Sequence, residues 1–553
     1  MAQDKEADMK HDSFDHFEHV PNDQQQESDG GTTHVDTLPT MAVQALREQK
    51  TTRTMVFFAA WIAFAGWICN FDQGYQGAVL IMQSYGRAFG HCTQMPDPGT
   101  GVMVEVCTLS ATQQSLTGVQ TLFYAAGAAL AGVTGTWLGR RDNIRLACAL
   151  CIISAAGMLG TGGSFLQYMV VKCIGGLGIG QLQAVAIVYG CECVAPRKRG
   201  LLLAIFNTGL SVGNASAAAV CAGSSNFAPT NDWQWKTPIV CQIPLNLMLA
   251  LGTFLFCESP RWLLIKGRED QARISFAAFL HATPSSEIVS AQIQDVKFHL
   301  ELERSMVATA SWTEIYGRKN IRRTLTSTLV LVSMGITGIQ FVGYYTALFL
   351  SGVGVHNPYL INVTIALCIF AGTIPGPLTP EYCGRRLSLL IGYMCMGSFM
   401  LIFSSVSTGL GADNSVAKNV VVVFLCLWAF TFGAFIGPNV WLSSTEMHSV
   451  SLRTYGQAST TAVFNLFSFG ATFWTPYMLN PDYGNMGVNV GYFYFGVTFV
   501  ITLLIFWFVP ETARLTLEQV DDYFATGRAA WKTSLTGNKR LATGVPLEVV
   551  VHE

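Results

Sequence analysis

Charge is what this sequence has least of. Only 12% of its 553 residues are Asp, Glu, Lys or Arg, and the two signs nearly cancel at a net charge of -2, whereas a soluble domain carries about 25%. With no basic face, the phosphate-driven binding that dominates nucleic-acid partners is excluded. An apolar run is missing from the first 30 residues, so no secretory signal peptide is expected, and the first span must itself start membrane insertion. Residues 1–50 are rich in His, Gln and Asp, too polar to bury a core, and are expected to form a disordered tail. Metal and nucleophile patterns are missing too. Cys191 and Cys193 flank Glu192, but no further Cys or His accompanies them, and no phosphate loop or nucleophile, base and acid set stands outside the apolar runs. Neither an enzyme nor a cofactor is expected.

Apolar length is abundant. Half of the residues are hydrophobic, 53 are glycine, and the mean hydropathy is +0.37. Twelve apolar windows fall near 55–80, 111–135, 143–163, 165–190, 200–222, 237–257, 325–350, 358–379, 387–409, 418–443, 456–478 and 488–509. A run of about 20 residues crosses a hydrocarbon core of about 30 Å as a helix. The expected fold is an all-α membrane protein with twelve transmembrane helices.

Lys and Arg set the orientation. Arg140, Arg141 and Arg145, then Arg197, Lys198 and Arg199, then Arg385 and Arg386, then Arg453 occupy alternate connections, together with a long basic segment between spans six and seven. The opposite loops hold little beyond Arg87, Lys236 and Lys418. By the positive-inside rule the first set is cytoplasmic and both termini lie inside. Of 15 cysteines, Cys92 and Cys107 sit in the long outer loop and form the disulfide candidate. Asn362 opens a glycosylation sequon at the start of span eight, close to the bilayer.

Three motifs occur twice in the same order. Gly139-Arg140-Arg141 returns as Gly384-Arg385-Arg386, offset by 245 residues; Glu192 with Arg199 returns as Glu446 with Arg453, offset by 254; and Glu258-Ser259-Pro260-Arg261 returns as Glu511-Thr512-Ala513-Arg514, offset by 253. Their shared register indicates a doubled six-helix unit. The expected domains are bundles at 51–260 and 323–512, a cytoplasmic helical segment at 261–322 and a tail at 513–553. Arginines alone would serve only topology, but the matched acids point to interlocking charge pairs that close the cytoplasmic side and break when the halves rock apart.

These motifs resemble the sugar porter family of the major facilitator superfamily, particularly its fungal branch, from about residue 55 to about 520. Phe71-Asp72-Gln73-Gly74 is similar to the family's first-helix signature. The ladder Gly175, Gly178, Gly180, the pattern from Glu192 to Gly200, and the closing Glu258-Ser259-Pro260-Arg261-Trp262-Leu263 and Pro510-Glu511-Thr512 carry the rest. The resemblance implies two pseudo-symmetric bundles around a central site worked by alternating access in the plasma membrane. The substrate would be a sugar-like small molecule, with a proton as its co-substrate.

Within span one, Asp72 is either a structural acid bonded to freed backbone beside Gly74 and Gly77 or the proton acceptor of a symporter. Lys172 in span four, where the family usually has arginine, is its expected cation. The family's fifth-span glutamine falls on Asn207, and its Gly-Pro-x-x-Trp pattern on Gly437 to Trp441. Span seven departs: Met334 and Gly335 begin the frame without the family's glutamine pair, Thr337, Gly338, Tyr344 and Tyr345 remain, and Gln340 replaces an asparagine. In span eleven Phe464 takes the polar position, with Asn465 one residue off. Thr136 and Trp137 replace an acid and a base in the first-half gate, while the second half keeps Glu381. Three readings follow: a proton-coupled or facilitative carrier of a hexose or similar polyhydroxylated solute, an exporter of a small metabolite, and a non-transporting nutrient receptor.

Overall fold

The computed structural model describes residues 52–96, 103–194, 198–309, 312–411, 414–449, 452–515 and 517–542; the tail at 1–50 and Arg197 lie outside them. Among the described residues, ten helices are long and apolar enough to cross a membrane: Arg53–Val79, Ala111–Leu138, Arg140–Leu159, Phe165–Cys193, Arg199–Ser224, Trp233–Leu255, Ile321–Tyr344, Arg385–Leu410, Ser415–Glu446 and Gly487–Phe508. The shorter apolar helix Pro358–Thr373 supplies the eighth span. Arg453–Leu479 is a 27-residue helix that interleaves Ser, Thr, Gln and Asn with its apolar residues and supplies the eleventh. The chain is a multi-pass membrane protein of two six-helix bundles.

The duplication in sequence is a duplication in packing. Span one lies on five, three on four and six, and two on four; in the second half seven lies on eleven, nine on ten and twelve, and eight on ten. Five against eight and two against eleven join the halves. Small residues allow the closest approaches, because lipid tails leave little hydrophobic drive between helices and backbone contact must substitute. A Cβ on Gly180 would lie 2.0 Å from the Tyr124 carbonyl oxygen, and one on Gly127 would lie 2.1 Å from that of Leu177, so spans two and four cross where both lack a side chain. Gly175 and Gly178 face Ser154 and Cys151 of span three, which explains the glycine ladder as two interfaces.

Two spans differ from single continuous runs. The seventh is interrupted at Thr337 and Gly338, where φ reaches +108° at the glycine, resumes as Gln340–Tyr344 and, after Tyr345, continues as Thr346–Gly352. The tenth has a π-helical turn at Phe432–Ile436, just before Pro438 removes a backbone donor. At one end, called here the hairpin end, strands β1 (His91–Pro96) and β2 (Met103–Thr108) pair antiparallel with Cys92 opposite Cys107, and the two cysteines are joined as a disulfide. At the other, the basic end, Pro260–Ile265, Glu269–Leu280 and Glu287–Thr309 connect the halves. Lys297 and Arg273 both pair with Glu269 and hold its carboxyl below the usual range.

The described part of the C-terminal tail folds back on the second half. Asn538 Nδ2 donates to the carbonyls of Glu511 and Ala513, Trp531 packs on Trp507, and Asp521 pairs with Arg323.

Gly180→Leu is expected to cost more than about 3 kcal/mol by overpacking and to abolish recovery of monodisperse protein. Gly132→Leu, whose Cβ would meet nothing within 4 Å, should leave it unchanged. Size-exclusion chromatography and thermal unfolding in detergent read both.

Candidate functional site

Asp72 is 4% exposed in the first span. Its carboxylate accepts a hydrogen bond from Gln120 Nε2 at 2.7 Å and one from the Tyr124 hydroxyl at 3.1 Å. The donors stand four residues apart in span two and so share one helix face. These are side-chain donors, not backbone groups freed by a loosened helix. Gly74 and Gly77 have another use: a Cβ on Gly74 would meet Asn214 and Ala217, and one on Gly77 would lie 2.0 Å from the Tyr344 carbonyl oxygen. They press the acid-bearing helix against spans five and seven.

Lys172 is fully buried and is the cation that acts on Asp72, though without forming a direct ion pair with it. Its Nζ has no hydrogen-bond partner and stands 5.1 Å from the Tyr75 ring centroid and 5.8 Å from that of Tyr168. Two aromatic faces thus share the cation, an interaction of about 2 kcal/mol when desolvated. The result is a carboxylate with two neutral donors and an ammonium held close but apart from it.

The seventh span links this acid to the other half. Tyr344 neighbours Tyr124 and Thr121, so the donor to Asp72 touches the interrupted helix. Tyr345 is buried, and its hydroxyl reaches the carbonyls of Thr472 at 3.0 Å and Gln114 at 3.4 Å. Tyr477 reaches Thr112 at 3.3 Å. Bonds that tie the halves therefore lie at the hairpin end.

The remaining sequence-derived binding residues divide. Thr337 is buried and its hydroxyl donates to the Ser333 carbonyl within its own helix. Gln340 Oε1 accepts from Thr472 at 3.4 Å. Trp441 is 37% exposed and meets Phe464 edge to face at 5.6 Å. Phe464 also reaches to 3.3 Å of where a Gly335 Cβ would stand. Asn465 turns back to its own helix, donating to Thr461. Asn207 is half-buried on span five. Sequence reasoning noted Tyr345 only as one of a retained tyrosine pair and missed Gln114, Gln120, Tyr124 and Thr472. The two glutamines carried the signal, since an amide inside a span needs a partner just as a carboxylate does.

The duplicated charges pair differently from the sequence spacing. Glu192 accepts from Arg140 Nη2 at 2.8 Å and Nε at 2.9 Å, and Glu446 accepts from Arg385 at 3.0 and 3.2 Å. Glu258 instead accepts the backbone N–H groups of Arg140 and Arg141, and Glu511 those of Arg385 and Arg386. Each acid caps the start of a span, where N–H groups lack helical partners and the dipole favours an anion. The preceding glycine has to be glycine: Gly139 and Gly384 have φ of +92° and +87°, and a Cβ would fall 2.6 and 2.4 Å from Glu258 and Glu511.

Arg199 donates to the Cys191 carbonyl rather than to Glu192. Arg453 makes no pair with Glu446, its Nε and Nη2 being buried without partners. Arg514 and Glu381 are exposed and outside the network. Both networks lie within one half each, so in this conformation they brace each bundle instead of locking the two together. The spacing of seven residues misled because the true partners come from separate helices.

His448 closes this region. It lies outside the spans, 4% exposed, against Gly456, where a Cβ would fall 2.3 Å from its Nδ1. Burial and the nearby Arg453 and Arg323 push its pKa down to about 4.

The model of the family described as "Sugar (and other) transporter" matches residues 58–524. A high-affinity fructose transporter of Schizosaccharomyces pombe is 26% identical over 86% of this chain and 88% of its own length. A high-affinity gluconate transporter of the same yeast is 26% identical over 86% and 84%. Among solved structures, the inward-open xylose transporter of E. coli superposes with a TM-score of 0.69 at 19% identity, covering 85% of this chain and 99% of that one. At that identity the likeness shows the fold.

Glu511→Ala strips the acceptor from buried backbone donors and should destabilise by at least about 2 kcal/mol, and Gly384→Ala should do likewise, both read as a lowered unfolding temperature. For His448 the folded pKa lies below the unfolded value near 6.5, so the unfolded chain takes up the proton first. Stability is then lost as pH falls from about 6.5 through about 4, by up to about 3 kcal/mol. His448→Gln should flatten that part of the profile of unfolding temperature against pH.

Proposed function

The chain belongs to the Sugar (and other) transporter family, and we propose that it carries a hexose or similar small polyhydroxylated solute across the plasma membrane by alternating access, with a proton moving in the same direction. The basic end faces the cytoplasm, with both termini there. Fructose and gluconate, which the yeast relatives carry, are both polyhydroxylated, and a solved neighbour is a proton:xylose symporter.

The observation that carries the reading is Asp72. An acid at bilayer depth is costly and is retained where it moves ions or substrate. Here it is met by neutral side-chain donors and a cation that does not touch it, so it can take and release a proton without dismantling an ion pair. When Asp72 is ionised, Tyr124 and Gln120 donate to it. When it is protonated, that acceptor weakens, and Tyr124 is released toward Tyr344 on the interrupted seventh span. The Tyr345 bonds to Thr472 and Gln114 close the hairpin end, so proton occupancy in the first half biases closure made by the second. Solute would bind between the halves against Trp441, with Gln340, Thr337, Tyr344, Asn207 and Asn465 as the polar groups within reach of that space.

A second reading, export of a small metabolite, is favoured by one contact. Phe464 packs against the space over Gly335, where the resemblance would place an amide. Uptake and efflux assays with labelled hexoses, polyols and lactone-like or pyrone-like compounds separate the two, and displacement by no sugar favours export.

Asp72→Asn is expected to abolish accumulation against a gradient and the alkalinisation that accompanies uptake, at least tenfold, while exchange of labelled sugar at equal concentrations persists. Accumulation at the parental level in this variant would refute proton coupling through Asp72.

A further inference from the structure

Inside the first bundle, and apart from the space between the halves, Tyr75 of span one, Tyr168 of span four and Tyr85 of the short helix Gln83–Phe89 form a buried column of hydroxyl-bearing rings, flanked by span six. It begins at the buried cation. Lys172 lies over the rings of Tyr75 and Tyr168. Tyr75 follows Asp72 by three residues, on the same face of the helix, and Gln242 of span six neighbours both. The Tyr168 hydroxyl neighbours those of Tyr75 and Tyr85. The rings of Tyr85 and Tyr168 stand 5.7 Å apart, and Trp235 packs on both.

The column ends under the disulfide hairpin. Tyr85 adjoins Gly86, where a Cβ would lie 2.2 Å from the Cys107 carbonyl oxygen. Phe89 closes over Tyr85, Tyr168 and Trp235. The rings of Tyr75, Tyr85, Tyr168 and Trp235 are all within 1% of full burial.

Packing alone does not account for the polar atoms. The hydroxyls of Tyr75, Tyr85 and Tyr168, Trp235 Nε1, Gln242 Nε2 and Lys172 Nζ are buried without a hydrogen-bond partner in the protein. Buried polar groups are paired, with ordered water where protein gives none. A run of tyrosines with unpaired hydroxyls from the hairpin to an acid differs from an aromatic core, in which phenylalanine would serve as well.

We propose that Tyr85, Tyr168 and Tyr75, bridged by water, form a proton relay within the first bundle that connects the hairpin face to Asp72. The inference rests on the proton-coupled reading above and adds the route. Each hydroxyl oxygen accepts a proton from the side of the hairpin as its own O–H proton passes on. One external hydronium becomes water, the Asp72 carboxylate becomes a carboxylic acid, and every tyrosine ends with the protons it began with. Lys172 lies beside the route, over the ring faces of Tyr75 and Tyr168. The route lets a proton reach Asp72 while the Tyr345 bonds keep the solute path shut at the same end. Cys69, Cys151, Tyr124 and Tyr344 also neighbour Asp72, so the test confines its exchanges to the hairpin side.

Tyr85→Phe and Tyr168→Phe keep the rings and remove the hydroxyls. In proteoliposomes the probe is whichever of labelled D-glucose, D-fructose and D-gluconate the full-length parent exchanges, with external pH recorded at the same time. Each variant is expected to keep equal-concentration exchange within twofold of the parent, which shows that it folds. The initial rate of proton uptake with the probe should fall at least tenfold, with a matching loss of accumulation and a flattened dependence on external pH. Parental proton uptake in both variants overturns the relay and leaves the symport reading standing. Equal loss of exchange and proton uptake shows a packing role and overturns it too. A parent that exchanges none of the three probes, or exchanges without moving protons, overturns the function on which the relay rests.

Discussion

The cost of an ion in hydrocarbon orders this molecule. Outside the membrane a charge can sit almost anywhere, but within it each one must be paired, bonded or functional. The chain answers by placing charges at helix ends, where backbone N–H groups and the helix dipole already call for anions, and by admitting Asp72 and Lys172 to the interior of the first bundle. Glu258 and Glu511 satisfy orphan donors at the starts of spans three and nine, and Glu192 and Glu446 take up the arginines that follow. Those four acids are half-buried or buried, so their bonds are not the weak exposed pairs that contribute little.

Because each network closes within its own half, the networks brace each bundle internally, and the proposed movement is left to the boundary between the bundles. The hydrogen bonds from Tyr345 to Gln114 and from Tyr477 to Thr112 span that boundary at the hairpin end, and the seventh span is interrupted at Thr337 and Gly338, one short helical segment before Tyr345. An interrupted helix can redirect its outer segment without unpacking the inner one, because the broken turn absorbs the change in φ and ψ. The symmetry of the braces and the asymmetry of the broken helix are complementary: in the proposed cycle the first would make rigid bodies and the second a hinge.

Fold and site were legible to different depths. Hydropathy and alternating basic loops revealed all twelve spans, since a hydrocarbon slab constrains composition directly. The duplicated motifs revealed the two halves. Pairing was not legible, since Arg140 meets Glu192 across 52 positions and Glu192 lies much nearer to Arg199 in the chain. Asp72 stood out as a lone acid, but its donors Gln120 and Tyr124 looked like ordinary span residues, and the stand-off of Lys172 depends on ring positions that no spacing encodes. The tyrosines around it are individually unremarkable, and only their convergence from span one, span four and the short helix Gln83–Phe89 gives them meaning.

The departures in span seven acquire a physical sense once span eleven is placed beside it. Met334 and Gly335 stand where the resemblance would put amides, and Phe464 stands at a polar position. Separately each is a lost hydrogen bond worth about 1 kcal/mol to a hydroxylated ligand. Together they fit, because the absence of a side chain at Gly335 admits the Phe464 ring, which in turn meets Trp441. One side of the proposed solute space is thereby a continuous apolar and aromatic wall, while Gln340, Tyr344 and the Thr472 hydroxyl stand on helices that face the first bundle. A solute suited to such a site presents hydroxyls on one face and C–H groups on the other. A pyranose has both faces and stacks on aromatic rings through the latter, so under the proposed function loss of the amide pair would favour less hydroxylated ligands and still leave a basis for carrying a sugar.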